Sequence, residues 1–187
     1  MNLFLTALFA YLLGAIPSGV IVSRAFGARD VRAIGSGHTG ALNTFRATGF
    51  FPAAFTFLAD AGKAVIAIEI GRGLTQSEWG VALAGVMAVV GHCLPIYTRG
   101  RGGMGLTVGG AVLFFLVPLA LIILLVFWFP IKFFLKQSAR ASAVSALLLP
   151  VILWLMQARA PLIAFGIGAG AVIFLRHLGD WNRQNAS

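Results

Sequence analysis

Charge is what this sequence has least of. Of its 187 residues only 10% are Asp, Glu, Lys or Arg, and only 5 of those are acidic. So few charges cannot cover the exterior of a water-soluble domain of this length. Cysteine is as scarce: Cys93 stands alone, which excludes an internal disulfide and a cysteine metal cage. The three histidines, His38, His92 and His177, are scattered without metal-ligand spacing, so neither a metal nor an organic cofactor is expected. No Gly-x-Ser-x-Gly elbow occurs, no histidine is followed five positions on by an aspartate, and no glycine loop closes on the Gly-Lys-Ser/Thr of a nucleotide site. Chemistry in this chain must therefore lean on anion binding and positioning.

What is present is apolar. Hydrophobic residues make up 59% of the chain, and the mean hydropathy is +0.95. Several runs approach the roughly 20 residues needed to cross a bilayer. Lipid admits only helices or closed barrels, and the runs are continuously apolar rather than alternating, so helices are expected. The whole chain, 1–187, reads as a single polytopic membrane domain of all-α class. The net charge of +9 would point to nucleic acid in a soluble protein. Here the basic residues sit between apolar runs, where they set topology, meet anionic lipid and recognise phosphorylated substrates, and no nucleic-acid partner is expected.

The spans are expected at Leu3–Val22, Phe50–Ile70, Trp79–Ile96, Ala141–Gln157 and Pro161–Leu175, with the stretch Leu106–Leu135 between them. The first lacks a basic start and a small-residue cleavage pattern, and is expected to be retained. Leu106–Leu135 would be about 45 Å long as one helix, beyond the ~30 Å hydrocarbon core. Split near Pro118 into two short helices, it crosses and returns. Two passes put eleven basic residues on one side and two on the other, leaving Lys63 in the bilayer, whereas one pass splits the charge almost evenly. The positive-inside rule favours two passes. The expectation is seven transmembrane helices, two of them short, with the N-terminus outside, the C-terminus cytoplasmic and Gly-rich cytoplasmic loops.

Those loops hold the candidate chemistry. Gly35-Ser36-Gly37-His38-Thr39-Gly40 has the glycine density of a backbone anion nest, and a helix starting near Ala41 would add its positive end. Ser36, Thr39, Asn43 and Arg46 supply further donors; a plain flexible loop is the bland alternative. Gly91-His92-Cys93-Leu94-Pro95, followed by Arg99 to Gly105, repeats that logic with two arginines suited to phosphate oxygens. Asp60 and Lys63 stand one turn apart within a span, either as a neutralising pair or as a functional site. Ser142 and Ser145 open a later span, where two hydroxyls three apart at a helix start bind phosphate or, as the commoner alternative, serve as caps or helix–helix bonds. The tail Arg176–Arg183 by itself is a basic anchor.

Together these motifs resemble the bacterial acyl-phosphate:glycerol-3-phosphate acyltransferases, the PlsY family. The family's first motif, G-S-G-N-x-G-A-T-N with an arginine beyond, is similar to Gly35–Asn43 with Arg46. Its second, G-H-x-x-P and then a basic residue with G-G-K-G, is similar to Gly91–Pro95 and Arg101–Gly105. Its Asp-x-x-Lys and Ser-x-x-Ser stretches resemble Asp60 with Lys63 and Ser142 with Ser145. This chain departs from the pattern at His38 (Asn in the family), Leu42 (Thr) and Met104 (a Lys that contacts phosphate). In the closing H-R-x-N-I-x-R, His177 and Arg183 fit, while Leu178 and Asp180 replace Arg and Asn.

The resemblance implies an enzyme of the bacterial inner membrane. It would move a fatty acyl group from acyl phosphate to the primary hydroxyl of glycerol 3-phosphate, giving lysophosphatidic acid and phosphate in phospholipid biosynthesis. Its partners would be those two small molecules and the lipid bilayer. Gly35, Ser36, Gly37, Thr39, Gly40 and Asn43 would hold the acyl phosphate. Arg46, Lys63, Arg101, Gly102, Gly103, Ser142, His177 and Asp180 would hold glycerol 3-phosphate. A substrate phosphate oxygen can accept the proton; Ser36, His38 and His92 are the side-chain candidates for catalysis. The alternative is a non-catalytic membrane carrier or binding protein for phosphorylated small molecules or lipids, with Asp60 and Lys63 lining its pathway.

Overall fold

The computed structural model describes residues 2–183. Among them are nine α-helices and no strand: α1 (Leu3–Gly14), α2 (Ser18–Ala25), α3 (Ala41–Thr48), α4 (Phe50–Thr75), α5 (Glu78–Cys93), α6 (Leu106–Leu116), α7 (Pro118–Leu135), α8 (Ser138–Leu155) and α9 (Ala160–Leu178). Short 3-10 turns occupy Val31–Ala33 and Ile96–Thr98. Six segments are long and apolar enough to cross a membrane: α1 with α2, α4, α5 with the turn after it, α7, α8 and α9. Helix α6, at 11 residues, is about 16 Å long and shorter than a bilayer core.

These helices are apolar all round, and size rather than polarity divides their faces. The outer surface carries Phe4, Phe50, Phe51, Phe133 and Phe134, while the interior is rich in alanine: Ala10, Ala64, Ala67, Ala84, Ala88, Ala143 and Ala169 are all buried. That is the pattern expected in lipid, where helix pairs associate through small residues that let backbones approach. Glycines mark the closest approaches. A Cβ on Gly14 would lie 2.3 Å from the Ala88 carbonyl oxygen, and one on Gly91 2.2 Å from that of Tyr11, so α1 and α5 meet backbone to backbone. Gly170 meets Ala146 in the same way between α8 and α9.

The first expected span is two helices. Pro17 has no amide hydrogen, and the chain breaks over Ala15–Pro17 before resuming as α2. The break frees the Ile16 carbonyl, which accepts from the Lys63 ammonium at 3.0 Å. The turn expected over Gly71–Glu78 is mostly helix, since α4 runs on to Thr75 and stops at Gln76, which is left-handed. The split before Pro118 is present, but only α6 of that pair is short; α7 has 18 residues. Helix α9 extends through Arg176 and His177, so the front of the expected basic tail is helical.

Polar contacts sort the loops into two ends. Arg159 pairs with Glu78 at one end. At the other, Arg183 reaches the Ser36 carbonyl, Gln137 the Asp180 carbonyl, and Arg176 the carbonyls of Gly102 and Gly103. Helix α6 starts and α7 finishes at this second end, so the pair leaves it and returns.

Candidate functional site

The second end of the bundle is where the glycine motifs converge. Asp30 opens the first loop, caps the turn at Val31 by accepting from the Arg32 amide, and pairs with the guanidinium groups of Arg32 and Arg24 at 2.6 and 3.3 Å. The Arg32 hydrogen bonds hold its carboxyl well below the usual carboxylate range. Gly35 and Gly37 follow with φ of +55° and +72°, conformations open to glycine.

The expected nest is closed on itself. The Ser36 amide donates to Asn43 Oδ1 at 2.9 Å, the Gly37 amide to the Ile34 carbonyl at 3.0 Å, and the Thr39 amide to the Gly102 carbonyl at 3.4 Å. Asn43, expected as a phosphate donor, is instead a brace. Its Nδ2 donates to the carbonyls of Val31, Ile34 and His38, and its side chain is buried. The free donors lie one step further along. The amides of Ala41, Leu42 and Asn43 precede the first intrahelical donor of α3, Thr44, and have no partner within the helix.

The second loop supports the first. Gly102 and Gly103 are buried, and their carbonyls accept from Arg176. A Cβ on Gly103 would sit 2.0 Å from His92 Nε2, so this glycine lets the loop lie flat against the imidazole.

Between the loops and the ends of α5, α7, α8 and α9 lies a cavity of about 430 Å³, within the usual range for small-molecule sites. Ten of the expected residues line it: Gly35, Ser36, His38, Gly40 and Asn43 from the first loop and α3; Arg46; His92; Ser142; His177 and Asp180. Gly37, Thr39, Lys63, Arg101, Gly102 and Gly103 do not. Gly37 and Thr39 are tied into the loop, Arg101 is exposed, and the two second-loop glycines act as a floor for their neighbours.

Lys63 is held elsewhere. It is buried, bonded to Ile16, and its ammonium lies 2.8 Å from Asp60 Oδ1. His92 Nδ1 is 3.5 Å from the same oxygen, and neither Asp60 oxygen accepts a well-directed hydrogen bond. Asp60 and Lys63 form a neutralising pair behind the cavity wall, and His92, which lines the cavity, meets it from the front.

Positive charge dominates the cavity. Arg46, Lys132 and Arg183 line it, and Asp180 is the one carboxylate among the described lining residues. Asp180 is already matched, by His38 Nε2 at 2.8 Å and Arg183 at 3.2 Å. Arg46 and Lys132 have no ion-pair partner among the described residues. Ser142 Oγ accepts from Trp128 Nε1 at 3.0 Å, and the Lys132 ammonium stands 4.9 Å over the Trp128 ring. Ser145 is buried behind Ser142 and lies outside the cavity lining. His177 Nδ1 is 2.8 Å from the Ile173 carbonyl, so it carries the hydrogen and leaves Nε2 as an acceptor.

Trp128, Lys132, Gln137 and Arg183 are absent from the sequence-derived site. Lys132 had a signal: it interrupts an otherwise apolar run four residues after a tryptophan, one helical turn away on the same face.

A family model described as glycerol-3-phosphate acyltransferase matches residues 4–186. Among curated relatives, the glycerol-3-phosphate acyltransferase of Rubrobacter xylanophilus is 34% identical over 97% of this chain and 88% of its own. That of a Jannaschia species is 36% identical over 96% and 87%. Two solved structures of PlsY (YgiH), an integral membrane glycerol 3-phosphate acyltransferase, share the fold. The glycerol 3-phosphate form superimposes with a TM-score of 0.84 at 27% identity, covering 98% of this chain and 92% of its own. The lysophosphatidic acid form gives 0.80 at 25%, covering 98% and 91%.

Proposed function

This chain belongs to the glycerol-3-phosphate acyltransferase family, and from that premise we propose that the cavity is its active site and that acyl phosphate is its acyl donor. The reaction is acyl transfer to glycerol 3-phosphate, giving lysophosphatidic acid. The observation that carries the site assignment is electrostatic: two cations without an ion-pair partner among the described residues, and the N-terminus of α3, face a cavity whose one carboxylate among the described lining residues is already matched.

The donor's phosphate lies against the free amides of α3 and the Ser36 hydroxyl, with its acyl chain running out between the apolar helices into lipid. The acceptor's phosphate lies toward Arg46, Lys132 and Ser142, with His177 Nε2 as a further polar contact. An acyl phosphate is a mixed anhydride with phosphate as leaving group, so the donor arrives activated. The protein's task is to hold two anions together and aim a primary hydroxyl at the carbonyl carbon, and proximity with fixed positive charge lowers such a barrier. Lys63 takes no part in holding substrate, since its ammonium is committed to Asp60 and Ile16. The same commitment removes the charged pathway of the carrier alternative.

The cavity end carries the basic loops and faces the cytoplasm, and α6 with α7 makes a seven-crossing chain. The test is phosphate release by purified protein in detergent. With palmitoyl phosphate, release and lysophosphatidic acid formation depend on glycerol 3-phosphate. Product formed from a thioester donor but not from palmitoyl phosphate would overturn the donor assignment.

A further inference from the structure

Helix α7 is apolar along most of its length, and Ala120 is its one buried residue. Leu and Phe side chains that face lipid do not favour one rotation of a helix about its axis over another. Among the described residues, one side-chain hydrogen bond joins α7 to another helix: Trp128 Nε1 donates to Ser142 Oγ on α8 at 3.0 Å. That bond turns one face of α7 toward the cavity. Lys132 lies one helical turn on, shares that face and also lines the cavity.

Trp128 differs from the aromatics beside it. Phe127 and Phe129 are exposed, whereas Trp128 is half-buried. An indole carries an N–H on its edge and the negative side of its quadrupole on its face. Here the edge takes Ser142, and the face takes the Lys132 ammonium, 4.9 Å from the ring centroid. Trp128 lies one turn deeper in α7 than Lys132. A lysine near the end of a membrane helix ordinarily extends toward the headgroups; this ammonium is drawn the other way, beside the cavity. The second loop adds no cation to the lining, since Met104 lines the cavity and Arg101 does not.

Ser142 is buried, and its oxygen accepts from the indole. A hydroxyl has one hydrogen to give. No described residue accepts it, so it is left to donate into the cavity. The edge and the face of one ring therefore set a neutral donor and a cation on the same wall.

We propose that Trp128 is a positioning residue of the acceptor subsite, holding the Ser142 hydroxyl and the Lys132 ammonium toward one phosphate group. The assignment rests on the acyl-transfer reading above and adds to it the residue that aims two of the phosphate contacts. Trp128 itself does not touch the phosphate. It acts by fixing the hydroxyl's direction and by keeping a flexible lysine off the headgroups.

The test uses the full chain in detergent and reads two quantities. One is the Kd for radiolabelled glycerol 3-phosphate without donor; the other is the set of KM and kcat values with palmitoyl phosphate as donor. Trp128→Phe keeps a ring beneath the ammonium and removes the N–H. Kd and KM for glycerol 3-phosphate rise about three- to tenfold, the fold-change of one neutral hydrogen bond. Trp128→Leu removes both contacts, and the rise is about ten- to fiftyfold. KM for palmitoyl phosphate and kcat stay within about threefold in both variants. In a Ser142→Ala background Trp128→Phe adds less than about twofold, because the bond it deletes is already gone. Unchanged Kd for glycerol 3-phosphate in both folded variants overturns the assignment and leaves Trp128 as an aromatic anchor of the membrane interface. Equal losses for the two substrates overturn it as well, and so does full additivity with Ser142→Ala. Should Trp128→Leu fail to fold, Trp128→Phe and its cycle with Ser142→Ala decide. Wild-type protein that binds glycerol 3-phosphate but releases no phosphate from palmitoyl phosphate points to failure of the acyl-transfer reading, and the Kd series still decides the positioning role.

Discussion

The Ser36 amide donates to Asn43 Oδ1 at 2.9 Å, and this bond ties the tip of the first glycine loop to the first turn of α3. A Cβ on Gly35 would come within 2.5 Å of the same oxygen, so the loop closes over Asn43 only because residue 35 is glycine. With its two Nδ2 hydrogens shared among three carbonyls, Asn43 contacts four backbone groups at once. Asn43→Ala leaves the Ser36 amide and the His38 carbonyl without a partner and takes one of two donors from the Val31 and Ile34 carbonyls, at a cost on the order of 2–4 kcal/mol at about 1 kcal/mol per bond. The expected result is a lower unfolding temperature together with at least about a tenfold loss of kcat/KM. Ser36→Ala removes a hydroxyl and leaves the brace intact, so its unfolding temperature stays near wild type while activity falls. Equal thermal stability of Asn43→Ala and wild type in a melt would reject the brace.

The pair behind the cavity gives a second contrast. Asp60 and Lys63 are 1% and 5% exposed, so removing either charge strands the other in a low-dielectric interior. Asp60→Ala is expected to destabilise by about 3–5 kcal/mol, the range for breaking a buried pair. The double variant Asp60→Ala/Lys63→Met removes both charges and is expected to recover much of that loss. The measurement is a double-mutant cycle on unfolding in detergent. Additive single losses, with no recovery in the double variant, would show that the two side chains do not act as a pair.

Much of this architecture was legible because membrane helices depend on run length and loop charge, both local properties. The return at Pro118 followed from the basic residues, and the glycine motifs marked the loops that converge. What was not legible was which partner each polar group takes. Asn43 in a glycine loop looks like a ligand donor, and only the fold shows it facing three carbonyls of its own loop. Lys63 looked like a phosphate contact until the break before Pro17 exposed a carbonyl for it. His38 and Asp180 departed from the family pattern as two separate changes 142 residues apart, and their meeting depends on how α9 docks against the first loop.

Lys132 gives the third prediction. It lines the cavity from the last turns of α7 and Met104 lines it from the second loop, and Lys132 has no carboxylate partner among the described residues. Lys132→Gln removes a charge-assisted contact worth about 1.5–3 kcal/mol, raising KM for glycerol 3-phosphate by roughly ten- to a hundredfold with less effect on kcat. Met104→Lys supplies a cation from the second loop. In the Lys132→Gln background it is expected to lower KM again. An unchanged KM in Lys132→Gln would assign that ammonium to the Trp128 ring alone.

The last prediction decides the course of the chain through the bilayer. Helix α7 ends at Leu135, and the exposed Lys136 follows it. If α6 and α7 form a returning pair, Lys136 lies on the same side of the membrane as Tyr97, and Gln76 lies on the other. If they crossed once between them, Lys136 would join Gln76. Tyr97 is a better probe than its neighbour Thr98, which is buried and bonded to the Arg101 carbonyl; Asn185 lies outside the described residues. Cys93 is the single native cysteine and is buried, so a Cys93→Ala background leaves each introduced thiol as the only target. Whole cells carrying Tyr97→Cys, Gln76→Cys or Lys136→Cys are then treated with a membrane-impermeant maleimide before and after lysis. The expected pattern is labelling of Gln76→Cys in intact cells, and of Tyr97→Cys and Lys136→Cys only after lysis. That pattern is the one the positive-inside rule leads us to expect from eleven basic residues at the cavity end. Labelling of Lys136→Cys from outside, alongside Gln76→Cys, would break the returning pair. It would also move Lys132 away from the loops that build the cavity.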